Sequence, residues 1–373
     1  MVASGATFSN YLMLFKRISI MTNFIESDPV ACSNCFSDHG LQLDAEKIGQ
    51  DNKNPCLNCG ATDSKKLPLA GVEALAHRYF VWGSMCRAHY GAAPKIQFNE
   101  HQKTSIEVAP WLVLDVQLIE RLLGIGFFHY GPRLWMVGEV EPLKALQAKE
   151  HRQDIIDRIL AEYPVRVLGT AESFYRIRVN PSAPDDSDQF DSAPPEYSGK
   201  GRLDSSGNSV LYGSPDLEVC VHECRVSAED EIFVATLAPT RSLRLLNLSA
   251  LLKEDVTEFE SLDMSIHMLF LAGKHAYEIT QSIADAARIA GFDGIVYPSY
   301  FSLLRIGQMP FQTTYGISHR RFPSMQEYEQ TKSIPNLGLF GRPLAEGKIS
   351  VSCINRLILS RVFYDFHFGP AGI

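Results

Sequence analysis

Phe174-Tyr175-Arg176-Ile177-Arg178 is a stretch in which apolar and basic side chains alternate. With the two-residue repeat of a β-strand, Phe174, Arg176 and Arg178 lie on the same face. A buried arginine is costly unless it faces a carboxylate or a ligand. The stretch therefore predicts a strand that carries two arginines to a site for a charged small molecule.

A loop follows this strand. Asn180-Pro181 ends it, because proline cannot donate a hydrogen bond to a sheet. Residues 182–198 are rich in Pro, Ser and Asp and contain few apolar side chains. This composition is typical of a loop, and we interpret the segment as a mobile acidic flap beside the site.

A second strand and a helix come after the flap. Ser209-Val210-Leu211-Tyr212 predicts a short strand. Ser214-Pro215-Asp216 has the features of a helix start, namely a capping hydroxyl, a proline at the first helical position and an acid in the first turn. Glu223 falls about two turns into that helix and borders its apolar stripe, so we expect its carboxylate to be half buried.

A third polar group lies at the end of a later strand. Apolar residues repeat at helical spacing over 279–290, and Gly291 ends this helix. Residues 292–299 then predict a strand in which Tyr297 and Ser299 share a face. Because a proline separates them and ends the pairing, we expect Ser299 at the strand tip, where binding sites are commonly built.

Together these stretches resemble the RES domain, a family named for its Arg, Glu and Ser. The resemblance rests on residues 174–178, on Gly201-Arg202 with residues 210–214, on Glu223, on residues 294–299, and on Asn336-Leu337-Gly338-Leu339-Phe340. It extends from about residue 167 to the C-terminus. The chain departs from the family after Arg202, where Leu203-Asp204-Ser205-Ser206-Gly207 replaces an aromatic residue or Met, Asn-Pro and a glycine.

The resemblance implies an α+β fold, with a mixed β core and flanking helices similar to ADP-ribosyltransferases. It also implies NAD as the substrate, whose bond between nicotinamide and ribose is broken. Nicotinamide is a cationic leaving group, so the enzyme must hold the diphosphate and favour an oxocarbenium-like ribose in the transition state. If water or phosphate is the acceptor, the activity is that of a glycohydrolase or phosphorylase. If a protein or nucleic-acid group accepts, it is an ADP-ribosyltransferase.

Residue roles follow from this resemblance. The candidate catalytic residues are Arg176, Tyr212, Glu223 and Ser299, and the candidate substrate-binding residues are Arg178, Arg202 and Tyr297. A guanidinium suits the diphosphate or the adjoining ribose, and a phenol suits stacking. Glu223 is expected to bind the ribose hydroxyls or to position the acceptor. The hydroxyl of Ser299 is expected to orient the amide or a ribose hydroxyl.

Four cysteines near the N-terminus predict a metal site. Cys32-x-x-Cys35 and Cys56-x-x-Cys59 have the spacing of a structural zinc ribbon, with four thiolates in tetrahedral reach. A disulfide pairing would require an oxidising compartment. The acidic residues that flank the pairs repel phosphates and disfavour a nucleic-acid partner.

The sequence predicts four regions. Residues 1–30 form a mobile tail, 31–66 the zinc ribbon, 67–165 a mainly helical domain and 166–373 the RES catalytic domain. The apolar run in the tail is too short to span a membrane, and Met21 is a plausible alternative start.

In the helical domain we predict helices over 67–85, 112–123 and 153–162, and we expect it to form a homodimer or to regulate the enzyme. Arg87 and His89 would face different sides of a helix, which disfavours ribonuclease activity.

Composition agrees with a cytoplasmic globular enzyme. The chain has 373 residues, 45% hydrophobic and 21% charged, with a net charge of −8, which disfavours a nucleic-acid binder. The family context implies a growth-inhibiting toxin or defence effector, for which an antitoxin, the N-terminal half or the flap could act as regulator. An alternative of another class is a zinc-ribbon binding module with an inactive RES domain.

Overall fold

The chain divides into two units, each with its own core. The computed structural model describes residues 28–88, 91–129, 140–257, 259–306, 313–314, 317–362 and 365–371. Unit 1 contains the described residues up to 88, those of 92–129 and those of 365–371, and unit 2 contains those of 140–362. Most of the predicted tail, residues 1–27, and His89 lie outside the described residues.

Unit 1 combines short strand pairs with three α-helices. Its elements are β1 (Ala31–Cys32), α1 (His39–Ile48), β2 (Lys66–Leu67), α2 (Leu69–Ala76), β3 (Met85–Ala88), β4 (Gly91–Pro94), β5 (Ile96–Asn99), α3 (Val113–Leu123) and β6 (Gly126–His129). The strands pair as β1 with β2, β3 with β4 and β5 with β6. α2 continues into a π-helical turn, and α3 matches the helix predicted over 112–123.

The core of unit 1 joins the cysteine region to the helices. Asp115 of α3 is buried and its carboxylate accepts hydrogen bonds from the backbone N–H groups of Ser37 and Asp38, both at 2.7 Å. The C-terminal segment also belongs to this unit, because Phe368 packs against its core and donates its N–H to Asp44 at 3.0 Å. The predicted ribbon and much of the predicted helical domain thus share one core.

Unit 2 carries the longer strands. Its elements are α4 (Glu141–Gln147), α5 (Lys149–Glu162), β7 (Val165–Leu168), β8 (Phe174–Val179), β9 (Val210–Gly213), α6 (Leu217–Cys224), β10 (Ile232–Pro239), β11 (Leu243–Asn247), α7 (Leu262–Leu271), α8 (Tyr277–Ile289), β12 (Gly294–Pro298), α9 (Ser302–Ile306), β13 (Thr313–Thr314), β14 (Ile317–Ser318), α10 (Gln326–Thr331), β15 (Pro335–Phe340) and β16 (Ile349–Leu357). α4 packs against α7 and α5 against α8. The unit therefore begins earlier than residue 166, the boundary expected from the sequence.

One mixed sheet and one antiparallel sheet form the core of unit 2. The predicted α+β fold class is therefore confirmed. Five strands have the order β7-β11-β12-β15-β9, with β11 and β12 parallel and the other neighbours antiparallel. Three antiparallel strands have the order β16-β10-β8. Apolar residues of both sheets, including Phe174, Leu211 and Val296, are buried together.

The two sheets meet where β8 passes the end of β9. Tyr175 and Ser214 exchange backbone hydrogen bonds of 2.8 and 3.1 Å. Gly213 permits this approach, because a Cβ atom there would lie 2.7 Å from the Phe174 ring and from the Tyr175 carbonyl oxygen. The junction brings the predicted arginine strand beside the strand of Tyr212.

The segment predicted as a mobile flap is anchored, so that expectation is wrong for its central residues. Phe190, Asp191 and Ser192 are 0%, 1% and 2% exposed. Phe190 joins the core between the sheets. The Ser192 hydroxyl donates to the Gly341 carbonyl at 2.7 Å, and the Asp191 carboxylate accepts from the Ala345 N–H at 3.0 Å.

Within the described residues, no helix is long and apolar enough to cross a bilayer.

Candidate active site

Both arginines of β8 donate to backbone carbonyl groups. Arg176 Nη1 donates to the Tyr212 carbonyl at 2.8 Å and Nη2 to the Asp191 carbonyl at 3.0 Å. Arg178 donates to the carbonyls of Gln189 and Asp191, both at 2.6 Å. The arginines therefore lie on one face, as predicted, and fix the anchored segment and β9 against β8.

The charge of Arg176 is only partly compensated. The side chain is 8% exposed, its Nε has no hydrogen-bond acceptor among the described residues, and it forms no ion pair with them. Burial, and then the positive charge of Arg178, lower the pKa of Arg176 to about 9. The guanidinium still carries its proton at neutral pH. A buried, unpaired cation favours an anion nearby.

Glu223, Ser299 and Asn336 form the second part of the site. Glu223 Oε1 accepts hydrogen bonds from the Ser299 hydroxyl at 2.8 Å and from Asn336 Nδ2 at 2.6 Å. Ser299 and Asn336 are 2% and 3% exposed, whereas Glu223 is exposed rather than half buried. The two donors thus fix one oxygen of a carboxylate that reaches the solvent.

Local sequence explains this geometry. The Asp216 carboxylate caps α6 by accepting from the Val219 N–H at 2.9 Å, which places Glu223 in the last turn of the helix. β12 ends at a proline, and Ser299 follows it directly. Asn336 pairs with Tyr297 on the neighbouring strand β15. Sequence reasoning did not select Asn336 as a site residue, although its Asn-x-x-x-Phe segment was part of the family resemblance.

Tyr297 is buried and packs against another aromatic ring. It is 7% exposed and its ring stacks on Phe270 at 5.0 Å between centroids. Burial first, and then the negative charge of Glu223, raise the pKa of its phenol. The hydroxyl therefore stays protonated next to the carboxylate.

Tyr212 is held by the loop in which the chain departs from the family pattern. Its hydroxyl donates to Asp204 Oδ1 at 2.7 Å and accepts from the Leu203 N–H at 2.8 Å. Asp204 also accepts from the Gly199 N–H at 2.7 Å. Burial, followed by the nearby Tyr297 and Asp204, raises the pKa of Tyr212. The phenol is therefore fixed in its neutral form.

Arg202 caps a helix. Its guanidinium donates to the Ala272 carbonyl at 2.9 Å, just beyond the end of α7, and lies 5.0 Å from the centre of the Tyr277 ring. A cation at a helix C-terminus is favourable. The structure thus engages Arg202 with α7, and does not place its charged group against Glu223 or Ser299.

Charges from both parts of the site act on one group, the Cys224 thiol. Burial raises its pKa, and the charges of Arg176, Glu223 and Arg178 then act on it as well. Tyr297 also contributes to the raised pKa of Tyr212. A separate cavity of about 350 Å³ lies between residues 252–257 and the start of α7, and none of the predicted site residues lines it.

The four predicted metal ligands lie together in unit 1. The sulfur atoms are 3.7 Å apart for Cys32 and Cys35, 3.4 Å for Cys32 and Cys59, and 3.5 Å for Cys35 and Cys56. All four lie within 4.8 Å of one another. Tetrahedral zinc at about 2.3 Å from each sulfur requires S–S separations near 3.8 Å. The cluster therefore fits a metal such as zinc.

Comparison with known proteins gives one match to a family model, over part of the chain. A search of curated proteins found no match. One solved structure, titled "Crystal structure of the M.tuberculosis MbcT-MbcA toxin-antitoxin complex", is 14% identical, with 54% of this chain and 91% of that chain covered, at a TM-score of 0.29. This TM-score is too low to support a conclusion. The family model of the RES domain matches residues 173–306, which include Arg176, Tyr212, Glu223 and Ser299. Residues 173–306 are therefore similar to the RES domain.

Proposed function

We propose that unit 2 cleaves the bond between nicotinamide and ribose in NAD, as a glycohydrolase or phosphorylase. One observation carries the proposal: a carboxylate whose Oε1 is fixed by Ser299 and Asn336, and whose Oε2 accepts no hydrogen bond from the described residues. The similarity of residues 173–306 to the RES domain supports NAD as the substrate.

The chemistry needs a fixed negative charge more than it needs an acid. When the C1′–N bond breaks, its electron pair leaves with nicotinamide, which departs neutral without a proton. The ribose then carries positive charge at C1′. A carboxylate held in place stabilises this charge without reorganisation. Water or phosphate then adds to C1′, and water loses a proton in doing so.

Arg176 supports the binding of an anion. Both Nη atoms already donate to backbone carbonyls and Nε is buried, so we propose that Arg176 acts on the diphosphate through its charge. Its second contribution is to hold β9, and with it Tyr212, in position. Tyr297 is buried and adds no charge of its own.

The decisive experiment is nicotinamide release from NAD by the purified chain, with and without phosphate. Glu223→Gln preserves an oxygen that accepts from Ser299 and Asn336 but removes the charge. We expect it to lower turnover by about 100-fold or more, while Glu229→Gln, at an exposed position five residues beyond α6, has no effect. Equal turnover in Glu223→Gln and the wild type would overturn the proposal.

The products identify the acceptor. Free ADP-ribose in the absence of phosphate indicates hydrolysis, and a phosphorylated ADP-ribose formed only with phosphate indicates phosphorolysis. Label transferred to a macromolecule would instead show an ADP-ribosyltransferase.

We further propose that unit 1 holds a structural zinc ion and that the protein acts in the cytoplasm. Apart from Cys86, whose side chain lies outside the description, the cysteines of the described residues are free thiols, which fits a reducing compartment, and NAD is an intracellular substrate. Depletion of NAD would inhibit growth, so a toxin or defence role with a protein regulator is consistent with the activity. Expression of the wild type and of Glu223→Gln, followed by measurement of growth and NAD content, tests this role.

A further inference from the structure

The chain that leaves β12 runs along α6 in the opposite direction. Three side-chain contacts mark this path. Ser299 meets Glu223 at 2.8 Å, the Phe301 ring meets the His222 ring, and Arg305 Nε meets Glu218 Oε2 at 2.9 Å. Because the partners follow α6 back towards its start, the aromatic pair is the next contact along this path after that of Ser299 with Glu223.

The aromatic pair has the geometry of a stack. The ring centres of His222 and Phe301 are 5.6 Å apart and the ring planes differ by 16°. Tyr300 meets Phe301 nearly perpendicularly, at 84° and 5.2 Å between centres. His222 is exposed, Phe301 is half buried and Tyr300 is 48% exposed. His222 is thus exposed to the solvent while its ring stacks on Phe301.

Packing of the core does not explain why these aromatic rings are exposed to the solvent. Apolar ring surface in water costs free energy that burial would recover, and a group of adjacent exposed rings is a feature of ligand sites. The rings flank a carboxylate with one free oxygen. A ligand that bonds this oxygen through ribose hydroxyls carries its base one bond away from the ribose, close to residues 222 and 301.

We propose that His222 and Phe301 form the subsite for the planar nitrogen heterocycle of the substrate, the ring that is joined to the ribose held by Glu223. The inference rests on the proposed function, under which this ring is nicotinamide. The exposed face of His222 stacks on it, while Phe301 keeps the imidazole in its plane. Aromatic stacking of this kind changes affinity by about 10-fold or more.

Substitutions at Phe301 separate stacking from packing. Leucine keeps an apolar side chain against α6 but removes the ring, whereas tyrosine keeps the ring. We expect Phe301→Leu and His222→Ala to raise KM for NAD by about 10-fold with a smaller change in kcat, and Phe301→Tyr to resemble the wild type. Phe259→Leu, which removes another exposed aromatic ring of unit 2, is the matched control. Wild-type KM in Phe301→Leu would overturn the subsite.

A second measurement does not depend on turnover. Free nicotinamide is not consumed by the enzyme. Its aromatic ring current should change the NMR chemical shifts of the imidazole protons of His222, and this change should saturate as nicotinamide is added. The signals are assigned by their loss in His222→Ala. We expect the shift in the wild type and its reduction in Phe301→Leu, and an unshifted His222 signal at saturating nicotinamide would contradict the inference.

The two proposals fail in different ways. If the wild type releases no nicotinamide from NAD while nicotinamide still shifts His222, the catalytic proposal is wrong and the ring subsite stands. If NAD is consumed in a Glu223-dependent way while His222 and KM are insensitive to the ring and its variants, the subsite is wrong and the catalytic proposal stands.

Discussion

Asn336 Nδ2 lies 2.6 Å from Glu223 Oε1, although the two residues are separated by more than a hundred positions in the sequence. The amide can only donate at this nitrogen, so the contact requires an acceptor oxygen on Glu223. Together with Ser299, it determines which of the two carboxylate oxygens faces the solvent.

This relationship predicts the effect of Asn336→Asp. The substitution keeps the volume of the side chain but sets two carboxylates at hydrogen-bond distance, where their negative charges repel each other at neutral pH. We expect kcat/KM for NAD to fall by about 10-fold or more at neutral pH and to recover partly at lower pH, where the pair shares a proton. A pH profile of nicotinamide release checks this. Asn355→Asp, on the exposed face of β16, should leave the profile unchanged, and an unaltered profile in Asn336→Asp would count against the arrangement.

The sequence predicted the elements of this site better than their contacts. Alternation located β8 and placed Arg176 and Arg178 on one face. It could not show that their partners are carbonyl groups, since backbone acceptors leave no signal in the side-chain pattern. Asn336 was missed for a related reason. A buried polar residue in a strand indicates a partner but does not identify it, and the partner here is on a helix from another part of the chain.

The average composition of a segment did not predict its structure where a single side chain anchors the segment in the core. Residues 182–198 are polar on average, yet Phe190 anchors them in the core. The carbonyl of Asp191 then serves both arginines. In contrast, the clustering of the four cysteines was predictable from the sequence, because the spacing within two short pairs strongly constrains the positions of the sulfur atoms.

Tyr212→Phe should destabilise unit 2. Removal of the hydroxyl leaves Asp204 Oδ1 without its donor and the Leu203 N–H without its acceptor. The loss of hydrogen bonds to buried partners costs about 1–3 kcal/mol of unfolding free energy. Urea unfolding followed by tyrosine fluorescence and circular dichroism measures it. Tyr197→Phe, at a residue that is 70% exposed, is the control, and equal stability of the two variants would show that the Asp204 contact is unimportant.

Asp263 predicts a pH dependence of stability. Burial raises the pKa of its carboxyl to about 6, against the opposing charge of Arg320, with which it forms an ion pair of 2.7 Å. Between the unfolded pKa near 4 and the folded pKa, the native state binds more protons, so stability falls as pH rises through this window. The loss is of the order of 3 kcal/mol.

The comparison is with Asp263→Asn, which cannot titrate. Its unfolding free energy, measured by urea at pH 4 to 7, should lack this component of the pH dependence. A constant difference between wild type and variant across that range would show that Asp263 keeps an ordinary pKa.

Zinc removal should destabilise unit 1 selectively. Its cysteine cluster lies beside β1 and β2, which are only two residues long each and cannot hold this region together by themselves. We expect one zinc per purified chain by elemental analysis, and its loss in Cys56→Ser or after treatment with a strong chelator, because ligand binding and folding are coupled. Thermal unfolding should then show a lower midpoint for unit 1. Cys353→Ser, at an exposed thiol of β16, controls for the loss of a cysteine as such. Retention of stoichiometric zinc by Cys56→Ser would rule out the four-thiolate site.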